Sequence, residues 1–377
     1  MKIRRYRTFI RRFNTEGAKR RIPRKAMYEL TYRCNFKCVH CYAKLKSEER
    51  ELVTKEVYSI LDQMRDMGVF HVTFTGGEIF TRPDILDILD YARRIGFEVS
   101  LLTNGSLITE DIADWLIERR IRDLEISFLG ANRKTFEEIT QESGSYEKVL
   151  NAIKMFRDKG VITMMKTCIL DLNLDEADKI MELAKSLGVS FRYSQFVVPR
   201  LDCERTPTRH RISPEEFIDI RKRFVEVFNR INPAKKKRFK QIQGAKEEGR
   251  PEEPGMLQDG RLFRCMAGRS TMFINPYGQM KPCIVLPVPN YDILKGGVRN
   301  GWEYMKRFVD ETKVTPDWGC KTCELNEFCG VCPARSYLNT GDMLGCPEYF
   351  KEVARLRKER YEAKMEKVPQ HNLNVIQ

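Results

Sequence analysis

From Ala26 onward the chain alternates short apolar, β-rich runs with longer stretches of helical periodicity. Runs at 26–32, 69–75, 97–103, 122–128, about 161–170 and about 189–198 read as strands. Helical patterns follow near 54–67, 109–119, 146–159 and 174–187, and Pro83 lies near the start of the helix after the second strand. Ser213-Pro-Glu-Glu is a capping signal for the helix that follows the sixth strand. Strands alternating with helices imply parallel βα units. Six such repeats across 26–231 predict an α/β fold, a partial (β/α)6 TIM-like barrel open on one side. Residues 1–25 read as a basic extension. The stretch 232–258, with Asn232-Pro233 and Gly249-Arg-Pro-Glu-Glu-Pro-Gly255, reads as an exposed connector. A smaller, cysteine-rich unit is expected at 259–347 and a charged helix and tail at 348–377.

Composition adds little to this picture until charge and cysteine are considered. Hydrophobic residues make up 42% of the 377 and charged residues 32%, ordinary values for a globular protein. No apolar run reaches the length of a membrane span. The start, Met1-Lys-Ile-Arg-Arg-Tyr-Arg, lacks the apolar core of a secretory signal. A cytoplasmic location without membrane association is therefore expected, and there twelve cysteines point to metal ligands rather than disulfides. The net charge of +14 is concentrated at Arg4, Arg5, Arg7, Arg11 and Arg12 and at Lys235-Lys236-Lys237-Arg238. Acidic residues are interleaved through most of the chain, which favours a solvated, ion-paired surface over a nucleic-acid partner, with an acidic peptide as the next choice.

The chemistry is concentrated in Cys34-Asn-Phe-Lys-Cys38-Val-His-Cys41-Tyr42, which follows the first strand directly. A cubane iron–sulfur cluster takes one ligand per iron. Three local thiols thus hold three irons and leave the fourth open to a non-protein ligand. A structural zinc site is closed and needs a fourth Cys or His, and His40 is too near Cys41 in sequence to share a metal with it easily. Gly76-Gly77-Glu78, Asn104 and Ser127 fall at the ends of the next three strands, where a parallel βα barrel gathers its ligand-binding groups. Two glycines let backbone approach a ligand closely, and a glutamate can pair with an ammonium group.

A strand, a C-x3-C-x2-C loop with an aromatic after it, and Gly-Gly-Glu one strand later resemble the radical SAM superfamily. The resemblance implies that Cys34, Cys38 and Cys41 hold a [4Fe–4S] cluster. Gly76, Gly77 and Glu78 would then meet the methionine amino group of S-adenosylmethionine, with Asn104 and Ser127 at its ribose and carboxylate. The chain departs from the family at the fourth strand, where Ser127-Phe-Leu-Gly130 stands for the commoner Ser-Leu-Asp-Gly. Ile139-Thr140 also occupies the neighbourhood of a frequent Arg. For the carboxylate, Lys166 on the fifth strand is offered as a substitute anchor, against the plainer reading of a surface lysine.

Cys265, Cys283, Cys320, Cys323, Cys329, Cys332 and Cys346 form a second set, with zinc as the alternative occupant of its C-x2-C pairs. The set is similar to the SPASM domain of peptide- and protein-modifying members, a small domain with a short β-hairpin and helices. That likeness implies two auxiliary [4Fe–4S] clusters and so three in all. Cys265, Cys283 and Cys332 would hold the first, and Cys320, Cys323, Cys329 and Cys346 the second. Asp259, Cys203 or an open iron would complete the first. Cys168 in the fifth strand reads as a buried, inert thiol. Cys203, just past the sixth strand where relatives often have Gly, is a candidate hydrogen-atom donor or ligand.

The family chemistry implied is reductive cleavage of S-adenosylmethionine to a 5′-deoxyadenosyl radical, which takes hydrogen from a substrate. The substrate expected is a ribosomal peptide or protein that is crosslinked or oxidised. The alternative is a small molecule or tetrapyrrole, as in oxidative decarboxylation for haem synthesis. An external donor such as flavodoxin or ferredoxin is implied. Only 33 residues precede Cys34, so a peptide-recognition module is expected to be absent or a separate protein. An electron carrier or a zinc-bound nucleic-acid-binding protein would have no use for the Gly-Gly-Glu turn.

Overall fold

The structure is a computed structural model and describes residues 13, 15–43, 49–121, 123–161, 163–231, 260–263, 265–315, 317–330 and 332–365. Asp259 and the two basic clusters named above, Arg4–Arg12 and Lys235–Arg238, lie outside the described residues. The chain forms two compact units, one from 1–211 with 263–312 and the other from 212–262 with 313–377. The division passes through the cysteine-rich stretch, so that Cys265 and Cys283 belong to the unit that carries the barrel strands.

In that first unit the strands are β1 (Lys25–Thr31), β2 (His71–Gly76), β3 (Glu98–Thr103), β4 (Asp123–Ser127), β5 (Thr163–Cys168) and β6 (Ser190–Ser194). Helices α1 (Thr54–Asp66), α2 (Ile85–Arg94), α3 (Glu110–Glu118), α4 (Arg133–Thr140), α5 (Ser145–Asp158) and α6 (Ala177–Ser186) intervene. Successive strands from β1 to β6 pair in parallel, in five ladders. The expected hairpin is β7 (Thr271–Ile274) with β8 (Gln279–Lys281), antiparallel, and β9 (Tyr291–Asp292) adds to β8. It joins the barrel sheet itself, because β7 lies parallel to β1, giving the order β6-β5-β4-β3-β2-β1-β7-β8-β9. Helix α8 (Ile293–Glu311) follows and is broken at Gly297, whose φ is 78°.

Strand alternation sorts the side chains into two faces. Val72, Phe74, Leu101, Leu124, Ile126 and Met165 are fully buried in the apolar core that the helices complete. Their neighbours on the opposite face, among them Thr73, Glu125, Ser127, Lys166 and Cys168, are only half-buried and mostly polar. A ligand lying on that face would meet hydroxyls and charges, and the apolar stabilisation is kept on the helix side.

The second unit contains α7 (Pro214–Ile231), α9 (Pro333–Thr340) and α10 (Glu348–Met365). The cap expected at Ser213 is present: Ser213 N–H donates to Glu216 Oε2 at 2.7 Å and Glu216 N–H to Ser213 Oγ at 3.2 Å. Phe217 of α7 meets Tyr349 and Phe350 of α10 edge-on, and Leu325 and Phe328 pack on Ala354.

Candidate active site and cysteine centres

The tri-cysteine loop leaves β1 at Thr31 and is tied to three other elements. Lys37 N–H donates to Thr140 O at 3.0 Å and Val39 N–H to Ile139 O at 3.0 Å. The end of α4 thus holds the loop at the place where the family's Arg is missing. On the β3 side, Asn104 Nδ2 donates to Asn35 Oδ1 at 2.9 Å, and Asn35 Nδ2 to Ser106 Oγ at 2.9 Å. Ser106 closes the ring by donating its hydroxyl to Asn104 Oδ1 at 2.7 Å. Asn104 Nδ2 also stands 4.0 Å from Cys34 Sγ. Leu201 N–H donates to Tyr42 O at 2.9 Å, which seats the loop after β6 on the residue next to Cys41.

The Gly-Gly-Glu turn fits against the same loop. A Cβ on Gly76, whose φ is 151°, would come within 2.2 Å of Thr31 O, and one on Gly77 within 2.3 Å of Arg33 O. The close approach these glycines permit is therefore to the chain's own cluster loop: Gly77 N–H donates to Thr31 O at 2.7 Å and Glu78 N–H to Arg33 O at 2.8 Å. Glu78, expected to pair with an ammonium group, is held by donors of the chain itself. It is fully buried and accepts from Phe80 N at 3.1 Å, Thr103 Oγ1 at 2.7 Å and Asn104 N at 2.6 Å. Burial pushes its carboxyl above the usual range against these three donors. Glu78 is a brace between the ends of β2 and β3.

Ser127 ends β4 and pairs across the ladder with Lys166, which pairs in turn with Arg192. All three share one face of the sheet, Ser127 and Lys166 half-buried and Arg192 exposed, and Arg192 Nη1 lies 2.6 Å from Glu125 Oε1. Cys168 closes β5 on that same face and not in the apolar layer. Burial drives its thiol up to about 12, in keeping with an inert role. Burial likewise raises Cys34 to about 11 and pushes Cys38 and Cys41 up. Cys203 occupies the left-handed region with φ 66°, its N–H donating to Arg200 O at 2.8 Å. That conformation favours glycine.

Sequence reasoning missed the supports. Arg82 is buried and donates to Leu30 O at 2.9 Å and Leu52 O at 3.1 Å, while pairing with Asp84 at 2.7 Å. Glu51 accepts from Thr31 Oγ1 at 2.7 Å and Tyr32 N at 2.8 Å. Neither residue stands in a recognisable spacing. Asn35 and Ser106 carried a faint signal as small polar residues beside motif positions.

In the second unit Cys320, Cys323, Cys329 and Cys346 line a single cavity, and Lys351 and Ala354 of α10 line it too. None of the cysteines is in a disulfide. No group of three or more His, Cys, Asp or Glu side chains among the described residues is set to hold a single metal ion. Four thiols around one cavity are the donor set that a cluster taking one ligand per iron needs. Cys265 is exposed and Cys283 half-buried in the first unit, and Cys332 precedes α9 in the second.

Comparison with known proteins places these features. The Radical SAM superfamily matches residues 28–184. A curated relative, the AdoMet-dependent heme synthase of Methanosarcina barkeri, is 30% identical over 85% of this chain and 94% of its own. The mycofactocin maturase MftC of Mycolicibacterium smegmatis is 27% identical over 85% of this chain and 80% of its own. Among solved structures, Streptococcus suis SuiB bound to its precursor peptide SuiA shares the fold with a TM-score of 0.62 at 17% identity, covering 91% of this chain and 79% of that one.

Proposed function

The chain belongs to the radical SAM superfamily and is of the SPASM type, and from this premise we propose that it removes hydrogen from a ribosomal peptide or protein in the cytoplasm. When bound, a [4Fe–4S] cluster and S-adenosylmethionine supply the chemistry: reductive cleavage gives the 5′-deoxyadenosyl radical that abstracts the hydrogen. The observation that carries the reading is the ring Asn35–Asn104–Ser106, which locks the tri-cysteine loop to the end of β3 while Glu78 braces β2 to the same point. Gly76, Gly77, Glu78, Asn104 and Ser127 are the contacts for S-adenosylmethionine in this reading. Lys166, beside Ser127 in the ladder, is the cation for a carboxylate there. The half-buried polar face holds the substrate and keeps water from the reacting carbon.

Two auxiliary clusters are part of the proposal, one on Cys320, Cys323, Cys329 and Cys346, the other on Cys265, Cys283 and Cys332 with Asp259 or Cys203 as a further ligand. A flavodoxin or ferredoxin supplies the electron, and a separate recognition protein presents the peptide. A second reading has one specific support: the heme synthase relative is matched over 94% of its length. A propionate-bearing porphyrin would then lie on the face that carries Lys166 and Arg192. The test is anaerobic turnover with dithionite. Precursor peptides and an iron porphyrin with propionates are offered in turn, and 5′-deoxyadenosine is measured by chromatography. Stimulation and product mass with peptide alone are expected; stimulation by the porphyrin alone would transfer the assignment to the second reading.

Cys203 is proposed as the thiol that acts at the mouth. A non-glycine residue held left-handed carries a penalty of ~1 kcal/mol. Cys203→Gly is therefore expected to keep or slightly raise the melting temperature while lowering product formed per 5′-deoxyadenosine several-fold. Unchanged product yield would remove Cys203 from the mechanism.

A further inference from the structure

Helix α10 runs beside the loop that bears Cys320, Cys323 and Cys329, and it presents cations to it. Lys358 pairs with Glu324, next to Cys323. Arg357 is different. Its Nη1 donates to Phe328 O at 3.2 Å, and its guanidinium lies 5.8 Å from the centre of the Phe217 ring. A Cβ on Gly330 would come within 3.9 Å of Arg357 Nη1. The guanidinium therefore lies against the carbonyl before Cys329 and the backbone after it. Among the described residues no carboxylate pairs with it. Burial first, and then the nearby cations Arg335 and Arg221, disfavour its charged form, while the sulfur of Cys329 favours it. A half-buried guanidinium with no carboxylate beside it is unfavourable unless another negative group balances it. Four thiolates around an iron–sulfur cluster provide such a group, because the assembly is anionic and its reduced form carries one more negative charge.

We propose that Arg357 is the charge partner of the centre held by Cys320, Cys323, Cys329 and Cys346, and that it raises the reduction potential of that centre. The inference rests on the auxiliary-cluster reading given above. One electron enters on reduction and no bond forms or breaks. The fixed cation stabilises the reduced state more than the oxidised one, since Coulomb energy grows with the charge it faces. Arg357 does not ligate. It is a positioning and tuning residue, and the lysine substitution should preserve part of its effect.

The experiment uses reconstituted full-length protein, with iron and sulfide measured first, and a redox titration with dithionite followed by electron paramagnetic resonance. The signal of this centre is identified by its loss in Cys320→Ala. In Arg357→Gln the reduction equilibrium is expected to move about tenfold toward the oxidised form, a shift of ~59 mV to lower potential for one electron. Arg357→Lys should lie between. The rise in melting temperature on reconstitution should also be smaller in Arg357→Gln than in wild type, a comparison that holds even if the variant is less stable overall. An unchanged potential at full iron content, or an equal rise on reconstitution, overturns the inference. If Cys320→Ala leaves iron content and signal unaltered, the auxiliary-centre reading itself fails, and the role of Arg357 fails with it.

Discussion

Replacing Cys34, Cys38 and Cys41 together by Ala is expected to bring 5′-deoxyadenosine formation down to background while iron at the C-terminal cysteines remains. The physical case rests on how the loop is held. Its position depends on backbone bonds from Lys37 and Val39 to the end of α4, and on the side-chain ring of Asn35, Asn104 and Ser106. None of these uses a thiol. Burial keeps the three thiols neutral when no cluster is present, so the alanines remove small, uncharged groups. The loss of folding stability should stay near ~1 kcal/mol per site. What disappears is the donor set, and with it the one iron that the protein leaves open. Iron and sulfide should fall by about one cluster per chain. Near wild-type 5′-deoxyadenosine from the triple variant would end the assignment of this loop.

Lys281→Met should be among the most destabilising single changes in the first unit. Lys281 and Glu29 are 3% and 1% exposed, with Nζ 3.3 Å from Glu29 Oε2 and 3.2 Å from Ile284 O. Tyr32 and Tyr42 donate their hydroxyls to the same carboxylate at 2.9 and 3.3 Å. Burial, reinforced by the charge of Glu29, pushes both phenols up and keeps them as donors. Removing the ammonium leaves a buried carboxylate without a cation, which costs roughly 3–5 kcal/mol. The melting temperature of the cluster-free protein should fall by on the order of 10 °C. Adding Glu29→Gln to Lys281→Met should recover a large part of the loss, since the orphaned charge goes with it. A fall of only a degree or two in Lys281→Met would show that the pair is not carrying a buried charge. The pair joins β1 to β8, with Tyr42 one residue past Cys41 and Lys281 two before Cys283, so the cluster loop and the added hairpin are fixed to one another through it.

Six strands, their order and their helices were legible because each is a local apolar pattern of adequate length, and the motif residues fell at strand ends for the same reason. Helix α4 and the extension of the sheet by β7 were not legible. The first is short, and the second pairs residues 25–28 with 271–274, a contact so distant in sequence that no local pattern reports it. The glycines at 76 and 77 were read as room for a ligand, and the backbone they accommodate in the structure is that of Thr31 and Arg33.

Taken by itself, the sequence determined the spacing of the thiols along the chain and hence the family, because spacing along a loop is a local property. Only the tertiary structure decided that Glu78 is a buried brace, that Glu29 and Lys281 pair across 252 residues, and that Arg357 lies beside Cys329 with no carboxylate partner among the described residues. Each of these depends on which side chains share a dry environment, and burial is set by the packing of remote segments.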